Sequence, residues 1–336
     1  MRKLRLAVAG CGEIAAFLLL MAKMNRNILI VGCADIRKER ARKYAAFFRG
    51  AKAYDDYLKM VDQEEPDAVY LAVPHHLHYP MMKELVAREI NILCEKPITT
   101  DIKDALKIID LARLDKVKIG VNYQYRYDKA CYRLVMAANN GDLGQLHYGV
   151  CNVPWHRGPK YFKKSSWHGE RRQSGGGTLI TQGSHALDIL LQAFAAKPLS
   201  AVGVTRRACF KDIEVEDLCM GTVELEGGAL LQINSSMIAS PEQPMSISIY
   251  GSKGTAHYKG WNFYSKVDFL GVRVPSYNSG VRGIHALGNN LEAFRRWILF
   301  DALYHNKAED SLPVLAAVQA IYRSADSKMA EEVELE

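Results

Sequence analysis

Residues 4–9 (LRLAVA) form a short, largely apolar run that stops at Gly10. This is the pattern of a strand buried on both faces of a parallel sheet. A helix-like stretch follows over 13–24, then an apolar strand over 28–33 that leads into Ala34-Asp35, then an amphipathic helix over 37–48. Further strands are expected at 68–73, 91–94 and 117–121, with helices at 80–88 and 101–114. Strands alternating with helices of this length predict βαβ units, and so an α/β Rossmann domain with a doubly wound parallel sheet over 1–122.

After residue 123 the pattern changes. One helix, 130–140, is closed by Gly141, and strand-like segments follow at 145–153, 199–207, 218–226, 229–238, 245–250 and 255–259. Gly227-Gly228 and the 251–254 stretch (GSKG) read as hairpin turns between neighbours. An α+β domain with a largely antiparallel, open-faced sheet is therefore expected over 123–336. Such a sheet needs only one covered face, so its other face predicts a homodimer or homotetramer.

Composition narrows the partners. With 49% hydrophobic and 24% charged residues the chain is an ordinary globular protein, which excludes a disordered or collagen-like architecture. Its 44 basic and 37 acidic residues give a net charge of +7, a mild bias toward anions. The two signs are interspersed, so no basic arm reads as a nucleic-acid grip. The 7 cysteines stand singly, without a C-x-x-C pair for zinc or redox chemistry, and free thiols in a reducing compartment are expected. The apolar run before Cys11 is too short for a signal sequence, and 14–22 is too short to span a bilayer. The expectation is a cytoplasmic protein with no membrane partner.

The first strand runs into Gly10-Cys11-Gly12-Glu13-Ile14-Ala15, a G-x-G-x-x-A. Gly10 allows the tight turn, Gly12 lets backbone approach a pyrophosphate, and Ala15 lets the helix sit close to the strand. The helix start at Glu13 and Ile14 offers N–H groups and a positive dipole end to the anion. Asp35 follows 20 residues after Ala15, where a carboxylate can accept from the adenosine ribose hydroxyls. The pattern predicts NAD. Arg37 keeps NADP open, because a guanidinium there can meet a 2′-phosphate.

Further motifs follow in order: Val73-Pro74-His75-His76-Leu77-His78, Glu95-Lys96-Pro97, and Gly175-Gly176-Gly177-Thr178-Leu179 with His185 and Asp188. Together with the glycine loop they resemble the Gfo/Idh/MocA family of sugar and cyclitol oxidoreductases, over nearly the whole chain. The resemblance implies that Lys96 reaches the nicotinamide ribose and the reacting hydroxyl, that Glu95 holds nearby backbone, and that His185 transfers the proton. The chemistry suits these residue types: an imidazole titrates near neutrality, and an ammonium steadies a developing alkoxide. Val73, Pro74 and His78 are expected at the nicotinamide end, since their loop lies at the carboxyl end of a sheet strand. The three histidines of that loop lack a fourth ligand at metal spacing, so no metal is expected.

The chain departs from the family at Thr181, where many relatives carry an acid, at His75, where one version of the loop has asparagine, and at Lys129, where a proline is usual. Asp188, three residues past His185, either orients the imidazole or is a solvated first-turn carboxylate. Substrate contacts are expected from Tyr125, Arg126, Thr181, Gln182, His185 and Asp188, and from Arg157 and Trp167 in the cationic, aromatic stretch 155–172. The expected substrate is a small sugar, cyclitol or sugar nucleotide, with an anionic group allowed by the basic balance. Two alternatives stay open: a catalytically silent dinucleotide-binding sensor on the same fold, and a reductase of a non-sugar carbonyl.

Overall fold

The computed structural model describes residues 2–261, 264–281, 283 and 285–335. The chain divides into two compact units. The first runs to Thr99 and resumes over Lys103–Gln124 and Val281–Asp310; the second holds Thr100–Ile102, Tyr125–Gly280 and the segment from Ser311 on. The boundary expected at 122/123 therefore meets a chain that returns, because Val281–Asp310 packs with the first unit.

That unit is built on six strands, β1 (Leu4–Ala9), β2 (Ile28–Ala34), β3 (Lys52–Tyr54), β4 (Ala68–Leu71), β5 (Asn91–Cys94) and β6 (Ile119–Val121). Every pairing is parallel and the order is β3-β2-β1-β4-β5-β6. Leu4, Leu6, Ala7 and Val8 of β1 are wholly buried, as its apolar run predicts. The order reverses between β1 and β4, and ligands of such sheets bind at the carboxyl ends beside that reversal. Gly10, Asp35, Val73-Pro74 and Glu95-Lys96 all follow strands there.

Two elements of this unit escape the periodicity. β3 is three residues long, and the helix Tyr57–Glu64 is short, although Asp56 caps it by accepting from the Leu58 and Lys59 N–H groups. The returning helix Ala286–Phe300 and the loop after it cover the β6 edge. There the Val121 N–H donates to the Asn306 carbonyl, and Tyr304 and Phe294 lie so close to Gly120 that a Cβ would stand 2.8 Å and 3.2 Å from them.

The second unit holds eight strands: β7 (Leu146–Pro154), β8 (Pro198–Arg206), β9 (Leu218–Leu225), β10 (Leu230–Ser236), β11 (Met245–Gly251), β12 (Thr255–Trp261), β13 (Tyr264–Leu270) and β14 (Glu331–Glu332). Their order is β13-β12-β11-β7-β10-β9-β8-β14. All neighbours are antiparallel except β7 and β10, which pair in parallel. Gly227 and Gly228 take φ of +87° and +83°, the conformation that the β9–β10 hairpin turn requires.

One face of the sheet is covered. Ile321 of the Leu312–Ser327 helix packs onto Gly203 and Gly221, and Leu190 and Phe194 of the Ser184–Phe194 helix pack onto Gly149. The other face shows Val202, Val204, Met220 and Leu230 exposed, the alternation expected of an open sheet. Among the described residues no helix is long and apolar enough to cross a membrane.

Candidate functional site

Gly10 adopts φ +93°, and a Cβ there would stand 2.1 Å from the Ala72 carbonyl oxygen, so only glycine lets β1 turn beside the end of β4. At Gly12 a Cβ would meet nothing within 4 Å. That gap is where a pyrophosphate can approach the start of the Glu13–Met24 helix, whose N-terminus has no side-chain cap. Glu13 and Ile14 are exposed and Ala15 is buried. The Tyr44 hydroxyl donates to the Gly12 carbonyl at 3.1 Å, a brace that the sequence does not announce.

Asp35 ties the same loop to β2. Its Oδ2 accepts from the Cys11 N–H and its Oδ1 from the Arg37 N–H, both at 2.8 Å. The Arg37 side chain is exposed. A carboxylate at the carboxyl end of β2 together with an open glycine cradle fits a dinucleotide with a free ribose diol.

Val73 and Pro74 are half-buried just past β4. His78 is fully buried, with Nδ1 2.8 Å from the Pro97 carbonyl and Nε2 3.0 Å from the Val73 carbonyl. Burial pushes its pKa down to about 4, and the Lys96 charge acts in the same direction, while the neighbouring carbonyls oppose them. The expected cofactor contact is thus corrected: the buried His78 ring lies between the two loop ends with both nitrogens facing backbone carbonyls, and the neutral ring donates its one N–H to one of them.

Glu95 is buried and accepts from the Tyr70 hydroxyl and, at 2.6 Å, from the Asn122 amide. Burial lifts its carboxyl above the usual range, against these bonds, the Lys96 charge and a bond from the Lys96 backbone. Asn122 in turn accepts from Asn290 at 2.6 Å, and the Asn290 oxygen accepts from Tyr304 and Asn306. Glu95 therefore fixes the turn that carries half-buried Lys96. Side chains from β4, the end of β6 and the returning helix supply the hold, in addition to the backbone contact that the resemblance implies.

In the second unit the helix Ser184–Phe194 begins one residue before His185, which is 7% exposed. The Tyr125 ring meets the imidazole edge-on, with centroids 5.2 Å apart. Asp188 corrects both sequence readings. It is buried, and its oxygens accept from Arg126 Nε at 2.8 Å and Nη2 at 2.5 Å. Burial lifts the Asp188 carboxyl, and Arg126 draws it back down. The same pair ties up the Arg126 guanidinium that was expected to meet substrate.

Thr181 also turns inward: its hydroxyl donates to the Gly177 carbonyl at 2.5 Å. Leu179–Gly183 forms a π-helical turn, a feature that often marks functional sites. Within it Gln182 is buried, and neither its amide nitrogen nor its oxygen finds a partner among the described residues.

The 155–172 stretch is folded. Lys160–Lys164, Ser166–Gly169 and Arg171–Ser174 are short helical turns, and the Trp167 and His168 rings stack 3.8 Å apart. Arg157 lies over the Trp155 and Tyr161 rings, 5.4 Å and 5.8 Å from their centroids, and reaches Glu242 at 3.4 Å. Among the described residues no group of three or more His, Cys, Asp or Glu side chains is placed to hold a metal ion.

Comparison with known proteins agrees with this geometry. Residues 4–123 match the oxidoreductase family with NAD-binding Rossmann fold, and residues 133–257 match the GFO/IDH/MocA C-terminal domain. An uncharacterized oxidoreductase, sll0816 of Synechocystis sp., is 28% identical over 61% of this chain and 58% of its own length. The D-glucoside 3-dehydrogenase of Escherichia coli is 25% identical over 96% of each chain. The crystal structure of the WlbA dehydrogenase from Bordetella pertussis, in complex with NADH and UDP-GlcNAcA, superimposes with a TM-score of 0.88 at 25% identity over the full length of both chains. The parallel sheet with its glycine cradle, the second sheet and these matches agree: the chain belongs to the Gfo/Idh/MocA family, NAD-dependent oxidoreductases with a Rossmann domain.

Proposed function

We propose that this protein transfers a hydride between NAD and a secondary hydroxyl or keto group of a sugar, cyclitol or sugar nucleotide. Lys96 steadies the alkoxide charge and His185 moves the proton. The observation that carries this is the state of the Thr178–Phe194 segment, whose only titratable side chains are His185 and Asp188. Asp188 is neutralised by Arg126, so proton transfer from this helix falls to the imidazole.

Bound NAD supplies the hydride acceptor, or in reduced form the donor. The chain's own residues do the rest. Gly10, Gly12 and the first turn of the Glu13–Met24 helix hold the pyrophosphate, and Asp35 accepts from the ribose. Lys96, on a turn stiffened by Glu95 and His78, places an ammonium where developing oxyanion charge is best met at short range. His185 accepts the hydroxyl proton in oxidation and returns it in reduction.

The similarity to D-glucoside 3-dehydrogenase along almost the whole chain supports a carbohydrate substrate. The UDP-GlcNAcA bound to WlbA supports including sugar nucleotides. Arg157, Trp167, Tyr125 and Gln182 are the proposed substrate contacts. The exposed apolar face of the second sheet supports a homodimer or homotetramer.

The test is nicotinamide reduction with a panel of a free hexose, a methyl glucoside, a cyclitol and UDP-GlcNAcA. Lys96→Ala and His185→Ala are each expected to lower turnover by about a hundredfold or more, with NAD affinity nearly unchanged in the histidine variant. Full turnover in both variants overturns the assignment, and NAD binding without turnover on any member favours the sensor.

A further inference from the structure

The segment that carries Thr181, Gln182 and His185 is continuous helix from Thr178 to Phe194, with the π turn inside it. A helix start leaves about four N–H groups without intrahelical partners, one of them usually met by a Ser, Thr, Asp or Asn at the capping position. Here Gly175-Gly176-Gly177 precedes the helix and offers no side chain.

The donors are met from elsewhere in the fold. The Gly177 N–H donates to Glu216 Oε2 at 2.8 Å, the Thr178 N–H to the Glu216 carbonyl at 3.0 Å, and the Leu179 N–H to Glu216 Oε1 at 3.0 Å. The Ile180 N–H donates to the Tyr322 hydroxyl at 3.3 Å, which itself donates to Glu216 Oε1 at 2.8 Å. Glu216 and Tyr322 are both buried.

The glycines are what allow the approach. A Cβ on Gly176 would stand 2.3 Å from the Tyr322 oxygen, and one on Gly177 would stand 1.8 Å from the Glu216 carbonyl oxygen. On the other side the Thr178 and Ser235 hydroxyls are 2.8 Å apart, and a Cβ on Gly183 would stand 2.9 Å from Ser235. The helix is gripped at its start, about two turns before the imidazole, and along one side.

We propose that Glu216, completed by Tyr322, is a positioning residue for His185: a cap supplied from 39 residues away that sets where this helix starts and how it is rotated. A carboxylate at a helix N-terminus also faces the positive end of the dipole, which suits the role. The inference rests on reading His185 as the proton-transfer group.

Glu216→Gln tests it with little change in size. A carboxamide offers one oxygen where the carboxylate offers two, so the Gly177 or the Leu179 N–H then faces an NH2. The readout on the full-length protein is the imidazole titration of His185 by NMR, its signal assigned with His185→Gln. Turnover on the same substrate panel and NAD affinity are measured beside it.

In E216Q the His185 titration is expected to move by about half a pKa unit or more. Turnover should fall about tenfold or more at unchanged NAD affinity, as for loss of about 1.4 kcal/mol of transition-state stabilisation. Glu216→Asp, which keeps both oxygens, should recover part of each effect. Should E216Q not fold, Tyr322→Phe carries the same test with a smaller shift in the same direction.

An unmoved His185 titration and unchanged turnover in folded E216Q overturn the positioning role, even if H185Q is inactive. A moved titration with H185Q fully active upholds the positioning and overturns the catalytic reading instead.

Discussion

Asp188→Asn is the most demanding test of the second unit. Both partners of the Arg126–Asp188 pair are almost wholly buried, with side-chain exposures of 4% and 2%, and two bonds join them. An asparagine keeps the shape but takes the Asp188 charge away from a buried guanidinium and turns an NH2 toward one of its donors. Breaking a buried pair in this way costs about 3–5 kcal/mol, whereas an exposed pair is worth about 1 kcal/mol or less. With a slope of about 3 kcal/mol per molar urea, the unfolding midpoint should fall by about 1–1.7 M. Arg126→Met should lose a similar amount by stranding the carboxylate.

The double variant Arg126→Met/Asp188→Leu removes both charges and should recover most of the loss, since apolar replacement of a buried pair is often neutral or better. The assay is urea unfolding of the four proteins as a double-mutant cycle. Single-variant losses below about 1 kcal/mol, or a double variant whose loss equals the sum of the singles, would refute the argument. The cycle also addresses His185. Because Asp188 is engaged by Arg126, the double variant should leave the His185 titration within about half a unit of its native position; a larger fall would restore Asp188 as its orienting partner.

Two other expectations concern the first unit. His78 titrates at about 4 in the folded chain against a usual value of 6.5, so its contribution to stability is complete above about pH 6.5 and is lost as the pH falls toward 4. The total is about 3 kcal/mol, read as a urea midpoint that declines with pH and declines less in His78→Leu; equal slopes for the two proteins would mean that the imidazole is charged in place. Asp35→Ala should weaken NAD about ten- to a hundredfold, since bonds to a charged group are worth about 1.5–3 kcal/mol. NADP should lose less, because the carboxylate that repels its 2′-phosphate is gone. Equal losses in Kd would mean that Asp35 acts only by holding the Cys11 and Arg37 N–H groups.

The first unit was largely legible because its information is local. A strand buried on both faces is a continuous apolar run, and the glycine loop must carry small residues wherever the protein stands. Gly10 beside Ala72 and the φ > 0 glycines of the β9–β10 turn are sequence signals with one structural solution. β3 was not legible, since three residues at a sheet edge carry no usable period, nor was the return of Val281–Asp310, since covering the β6 edge is a long-range event. The parallel pairing of β7 with β10 is likewise a choice of neighbours that alternation within a strand does not encode.

The residue types of the site could be read along the chain, but their tasks could not. Spacing put Asp188 one turn from His185, yet the fold gave its carboxylate to Arg126, 62 residues away, because a buried charge must find an opposite one. His78 fell in a motif loop, and burial between two carbonyls made it a staple. The triple glycine was visible from the start; that it exists to admit Glu216 and Tyr322 to a helix end was decided only by packing. Local sequence determined which backbone could form and which chemistry was on hand, while desolvation and the need to satisfy every buried donor and charge assigned each side chain its partner.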